Sequence, residues 1–205
     1  MWHSVPLGVV CHNARVSRRD LHKQRTRQAI ADAGIQLFLA RGFDAVTVAD
    51  IAEAADVAPR TFHRYFRDRD ELLFADEAEN REYLRAALAA HPFDPTRPLA
   101  ALGAVLGALA ARFDGGLAAA RVRHRLIAAS PALHARDLTK QAYIEAELAG
   151  HLAGQLGVPL DADVRPRLWA KLGLACFFTA YQVWVHEGGE LADHIERALG
   201  ALPSS

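Results

Sequence analysis

Between residues 60 and 65 the sequence RTFHRY places two guanidinium groups, a hydroxyl, an imidazole and a phenol on one short stretch of chain. On a helix, Arg60, Thr61, His63, Arg64 and Tyr65 point outward while Phe62 and Phe66 turn back toward a core. Such groups are suited to reading nucleic acid. A guanidinium meets the two major-groove acceptors of guanine bidentately, and hydroxyl, imidazole and phenol groups bond bases or phosphates. A solvated basic face on an ordinary helical hairpin has the same composition. The elements around the cluster must decide between the two.

Residues 47–66, TVADIAEAADVAPRTFHRYF, supply those elements. Thr47 caps a helix, with Asp50 three residues on completing a capping-box-like pair. Val48, Ile51, Ala52 and Ala55 form its apolar stripe. Asp56-Val57-Ala58 makes a turn, and Pro59 stands at the first position of a second helix, where proline is best tolerated. Two short helices joined by a tight turn, the second tipped with donors, have the pattern of a helix-turn-helix.

The rest of the chain reads as helix. It has 205 residues, is 51% hydrophobic, and nearly lacks runs of β-branched residues. An all-α fold follows, of a size for one large domain or a small one beside a larger one. The net charge is zero, yet residues 1–70 hold eleven Lys/Arg against eight Asp/Glu. The basic excess therefore sits beside the helix-turn-helix. Cys11 and Cys176 belong to no pairing or metal motif and suit a reducing cytoplasm. Residues 1–20 lack the charge order of a signal peptide and are read as a disordered extension.

Residues 21–41 form the first convincing helix, with Ile30, Ala33, Leu37 and Phe38 on one side and Gly42 as its left-handed cap. Asp68 and Glu71 open a helix through about Ala90. The three prolines of HPFDPTRP, residues 91–98, mark a linker. Leu99–Phe113 and Leu117–Ala129 are helical. Ser130-Pro131 begins a short helical turn, and residues 137–156 continue as an amphipathic helix. Residues 163–186 are the most apolar stretch: Trp169, Gly173, Cys176, Phe177, Ala180 and Trp184 share one face, and Leu168, Leu172, Ala175, Thr179 and Val183 an adjacent one. So apolar a helix needs cover on two sides. Residues 190–200 close the chain with a last short helix.

Residues 25–73 resemble the DNA-binding domain of the tetracycline-repressor (TetR) family. The shared pattern includes Arg27, Ile30, Ala33, Leu37, Phe38, Gly42, Phe43, Thr47, Val48, Ile51, Ala52, Val57, Thr61, Phe62, Tyr65, Phe66, Arg69 and Leu72. The chain departs from it at Asp56, where glycine is usual, and at Ala58, where a serine N-cap is usual. After the extension read at 1–20, the resemblance implies a helix-turn-helix domain at 21–67 and a helical effector-binding and dimerisation domain at 68–205. It implies base contacts from Arg60 and Thr61, and mixed base and phosphate contacts from His63, Arg64 and Tyr65. Arg27, Thr47 and Arg69 would grip phosphates. The implied partners are a double-stranded, palindromic DNA operator, a second copy of the chain and a small-molecule effector, with no membrane and no cofactor.

Residues 121–157 resemble the C-terminal domain of regulators related to the mycofactocin regulator, which implies an acyl-CoA or fatty-acid-like effector. Leu102, Leu106, Leu109, Phe113, Leu126, Phe177, Phe178 and Tyr181 would line its pocket, with Arg123 available for a phosphate. The dimer face would hold Trp169, Leu172, Cys176, Val183, Trp184, Leu191 and Ile195. An enzyme is the first rival reading, but the chain has no G-x-S-x-G elbow, phosphate-cradling glycine loop or H-E-x-x-H pair, so neither catalytic nor metal residues are expected. A helical adaptor is the second rival, and a regulator of an efflux or catabolic operon with an unrelated ligand is a third.

Overall fold

The computed structural model describes residues 18–74, 77–113 and 115–202. The extension expected at residues 1–17 and Cys11 lie outside them. All regular structure among the described residues is helical: α1 (Arg18–Arg41), α2 (Val48–Ala54), α3 (Pro59–Tyr65), α4 (Glu71–Phe74), α5 (Glu77–Ala90), α6 (Pro98–Ala110, running into a 3-10 turn at Ala111–Phe113), α7 (Leu117–Ala129), α8 (Pro131–Leu156), α9 (Arg165–Glu187) and α10 (Leu191–Gly200).

The helices form two units. The first comprises residues 1–75 with 125–133, and the second residues 76–124 with 134–205. The expected boundary after residue 67 thus falls later, and the end of α7 with the start of α8 groups with the first unit. The helical turn expected from Pro131 and the helix expected over 137–156 are one continuous helix, α8. Pro131 occupies its N-terminal turn, where no backbone bond is lost, and nothing between 131 and 137 breaks the pattern.

In the first unit α1 packs on α2 and α4, and α2 on α3. Ile30, Phe38, Phe43, Val46, Ile51, Phe62 and Phe66 are almost wholly buried. Phe38 and Phe43 stack at 4.9 Å, and Phe62 and Phe66 at 5.6 Å. A Cβ on Gly34 would lie 2.3 Å from Leu72 Cδ1, so a larger residue there would make the Leu72 side chain shift. Leu126 is buried in the segment that groups with this unit.

In the second unit α10 packs on α9 and α6, and α5 and α9 on α6. One core gathers Leu106, Ala110, Cys176, Phe177, Ala180, Tyr181, Trp184, Leu191 and Ile195, with Leu109, Phe113 and Phe178 partly buried against them. Another joins Leu84, Leu88, Val105, Leu148, Leu152 and Ala170. By length and composition α9 could cross a membrane. Its apolarity is used here in packing, since Ala170, Gly173, Cys176, Phe177, Ala180, Tyr181, Trp184 and Val185 are buried.

Candidate DNA interface and effector domain

The reading head is built from its caps. Thr47 is the N-cap of α2: its hydroxyl accepts the Asp50 amide at 3.2 Å, and the Asp50 carboxylate accepts the Thr47 amide at 2.7 Å. The hydroxyl also donates to that carboxylate. Asp50 is held below the ordinary carboxylate pKa by these bonds, helped by Arg41, whose guanidinium lies 3.6 Å away. The Thr47 hydroxyl is therefore engaged in capping α2.

The turn between α2 and α3 is led by Asp56, the one non-glycine among the described residues with positive φ, at 53°. Aspartate tolerates this conformation better than most side chains. Ala58 caps α3 without a side-chain bond, and Pro59 opens the helix. Phe62 and Phe66 are buried, while Arg60, His63 and Arg64 are exposed and Thr61 and Tyr65 half-buried. The Arg64 guanidinium lies over the Tyr65 ring at 5.0 Å and bonds its hydroxyl at 3.4 Å. The His63 ring meets Phe62 edge-on at 5.4 Å. Arg27 lies over the Phe66 ring at 5.1 Å, which brings it to the end of α3.

Arg69 departs from expectation. Its Nη1 donates to the carbonyls of Phe43, at 2.9 Å, and Val46, with Asp44 farther off at 3.4 Å. Its guanidinium sits 4.3 Å above the Phe43 ring and 3.9 Å from the Asp44 carboxylate. The cation is thus engaged by the protein's own loop, a set of partners that residue spacing did not indicate.

In the second unit the expected pocket residues Leu106, Leu109, Phe113, Phe177, Phe178 and Tyr181 share one core. Phe113 is its hub, 5.9 Å from Phe177, 5.7 Å from Tyr181 and 6.2 Å from Trp184. Leu102 is buried where α6 meets α9, 3.2 Å from the Cβ that Gly173 lacks. Leu126 is not among them, because the helix carries it into the first unit. Arg123 borders the core and donates to Asp137 at 2.9 Å. Burial raises the Tyr181 pKa, opposed by Arg123 beside it. Asp137, fourteen residues away, gave no local signal in the sequence.

The expected dimer residues separate. Cys176, Trp184, Leu191 and Ile195 are between 1% and 5% exposed and belong to the protomer's own core, so they are not free to meet a partner. Burial pushes the Cys176 thiol up in pKa. Trp169 is half-buried against Phe93 at 6.1 Å. Leu172 and Val183 lie half-exposed on the adjacent face, along which Leu168 is 55% exposed. Beside that face a groove of about 380 Å³ runs between α8 and α9, lined by Leu138, Gln141, Ala142, Leu174, Phe178 and Gln182, with the Lys171–Glu145 ion pair across it at 2.7 Å. Among the described residues no group of three His, Cys, Asp or Glu side chains is placed to hold a metal ion.

Residues 30–75 match the family described as bacterial regulatory proteins, tetR family, and residues 96–205 match the MftR C-terminal domain. The HTH-type transcriptional regulator TcmR of Streptomyces glaucescens is 36% identical over 152 residues, which cover 70% of this chain and 66% of that protein. A Mycobacterium tuberculosis protein named as the mycofactocin biosynthesis transcriptional regulator MftR is 32% identical over 193 residues, covering 93% and 92%. A TetR-family regulator from Syntrophomonas wolfei superposes with a TM-score of 0.62 at 16% identity, covering 87% of this chain and 93% of that one. The fatty acid degradation regulator FadR from Bacillus halodurans does so at 0.52 and 17%, covering 88% and 97%. With the capped helix-turn-helix in its first unit and the match that spans the second, this chain belongs to the tetR family of bacterial transcriptional regulators.

Proposed function

We propose that the chain is a ligand-responsive repressor of the bacterial cytoplasm that binds a palindromic operator as a homodimer and is released by a hydrophobic, acyl-CoA or fatty-acid-like effector. The observation that carries the DNA reading is α3 itself. Its apolar side is spent on Phe62 and Phe66, while Arg60, His63 and Arg64 are left on the surface. A helix anchored in this way enters a major groove with its first turn toward the bases. Arg60 reads guanine, with Thr61 beside it. His63, Arg64 and Tyr65 divide between base and phosphate, and Arg27 reaches a phosphate near the end of α3.

The half-exposed face of α9 with Leu168, Leu172 and Val183 is the surface offered to a second copy, and two-fold symmetry then matches a palindrome. The effector site is the core around Phe113, with Arg123 at its polar edge. Support for an acyl ligand comes from the apolar and aromatic lining and from the match to the MftR C-terminal domain. Effector binding favours a form with lower operator affinity, a population shift set by its differential affinity for the two forms.

Gel-shift titration against the DNA upstream of the chain's own gene tests the reading, with and without a long-chain acyl-CoA and the matching free fatty acid. A palindrome-dependent shift, relieved by one of them, is expected. No specific shift at moderate salt would remove the regulator reading, and a shift insensitive to both would remove the effector assignment alone.

A further inference from the structure

Arg69 stands in the bend between α3 and α4, and everything around it serves to hold it still. On one side is the loop from α1 to α2. Gly42, at φ 83°, turns the chain, and the Val46 amide bonds back to the Phe43 carbonyl at 3.3 Å. That curl aims the Phe43 and Val46 carbonyls at one point, and Nη1 of Arg69 occupies it. The ring of Phe43 forms the floor, with the guanidinium 4.3 Å above it. The next residue after Val46 is Thr47, the N-cap of α2.

On the other side is the bend itself. Asp68 Oδ1 accepts the Glu71 amide at 2.9 Å, and Glu71 Oε2 accepts the Arg67 amide at 2.6 Å. This reciprocal box spans Arg69 and fixes the backbone from which its side chain leaves. Phe66, the C-cap of α3, is 1% exposed and locks the start of the bend into the core.

We propose that Arg69 is a positioning residue of the DNA-reading head, tying the N-cap of α2 to the α3–α4 bend and acting on DNA affinity through geometry. The inference rests on the chain binding DNA as proposed above. A charge meant for phosphate would stand clear of the protein. This one is 29% exposed, has both Nη1 hydrogens on carbonyls, and faces the Asp44 carboxylate. A guanidinium can put one nitrogen on two carbonyls while its delocalised, weakly hydrated charge lies over a ring. Lysine keeps the charge and loses that geometry.

The two roles separate under salt. Each phosphate contact adds about 0.9 to the slope of log affinity against log salt on duplex DNA. In the full-length protein, R69K and R69A are expected to lose operator affinity alike, by about tenfold, with the slope unchanged. F43L, which removes the floor and no charge, should lower affinity with the same slope and show little added loss when combined with R69K. Amide exchange at Asp50 and Ile51, in the first turn of α2, should quicken in R69K while α1 stays protected.

Wild-type affinity in R69K, with a slope reduced by about one in R69A, would overturn the proposal in favour of a phosphate contact. So would additive losses in the F43L/R69K pair, or unchanged exchange at Asp50 and Ile51. The exchange measurement needs no DNA and no alanine variant. It therefore decides the tie even if R69A fails to fold, and it remains decisive if the wild-type chain proves not to bind a palindrome, a result that would count against the regulator reading alone.

Discussion

Arg123 of α7 donates to the Asp137 carboxylate of α8 at 2.9 Å, and Gln141 donates to the other oxygen of the same carboxylate at 2.8 Å. The side chains are 27% and 16% exposed, so the pair is partly buried in the second unit. The polar edge of the Phe113 core is thus already neutralised before any ligand arrives. At the effector site proposed above, an anionic ligand would compete with Asp137 for the guanidinium.

Asp137→Asn should therefore raise sensitivity to an anionic effector. The concentration of acyl-CoA that half-releases operator is expected to fall several-fold, while the fold itself loses about 1–2 kcal/mol with the Arg123–Asp137 ion pair. Gel shift and thermal unfolding measure the two effects. An unchanged release concentration would show that Arg123 does not anchor the ligand.

Arg60→Ala should relax sequence discrimination, at a cost of about 1–3 kcal/mol at one base pair of each half-site. The comparison is between the operator and a set of single-base variants. Equal weakening on every variant would assign Arg60 to the phosphate backbone.

Ala58→Ser should stabilise the protein by about 0.5–1 kcal/mol. Ala58 is the N-cap of α3 and makes no side-chain bond to its first turn. A serine hydroxyl supplies one. Chemical denaturation of the two proteins gives the difference, and a loss of stability would mean that the turn from Asp56 to Ala58 cannot accommodate a capping side chain.

His124 and His186 meet edge to face at 5.5 Å between α7 and α9. Desolvation first, and His186 second, hold the His124 pKa below its ordinary 6.5, with Arg123 adding to the depression and Asp137 opposing it. A histidine depressed in the folded state contributes stability that is present above about pH 6.5 and lost as pH falls through the folded value. Between about pH 7.5 and about pH 5.5 the melting temperature of the wild type should fall more than that of His124→Gln. Parallel falls would place the acid sensitivity elsewhere.

The helices and the reading head were legible in the sequence because local chemistry sets them. The Thr47–Asp50 box, Pro59 and Gly42 act within a few residues of themselves, and the structure has them as the spacing implied. Asp56 and Ala58 were visible as departures: Asp56 takes the positive φ of the turn, and Ala58 caps α3 without a side-chain bond. The long apolar helix α9 was equally plain, but not which of its faces was inward.

Tertiary structure decided the rest. Both sides of α9 are apolar enough to be core, so periodicity had no means of sending Trp184 and Cys176 inward and leaving Leu172 and Val183 at the surface. Arg69 reads as a phosphate ligand until carbonyls 23 and 26 residues earlier come within its reach. Arg123 gains Asp137 only once α7 and α8 fold against each other. A cap or a turn is paid for by neighbours in the chain, whereas a charge takes whichever partner the fold brings closest, and that partner is set by packing over distances that spacing does not encode.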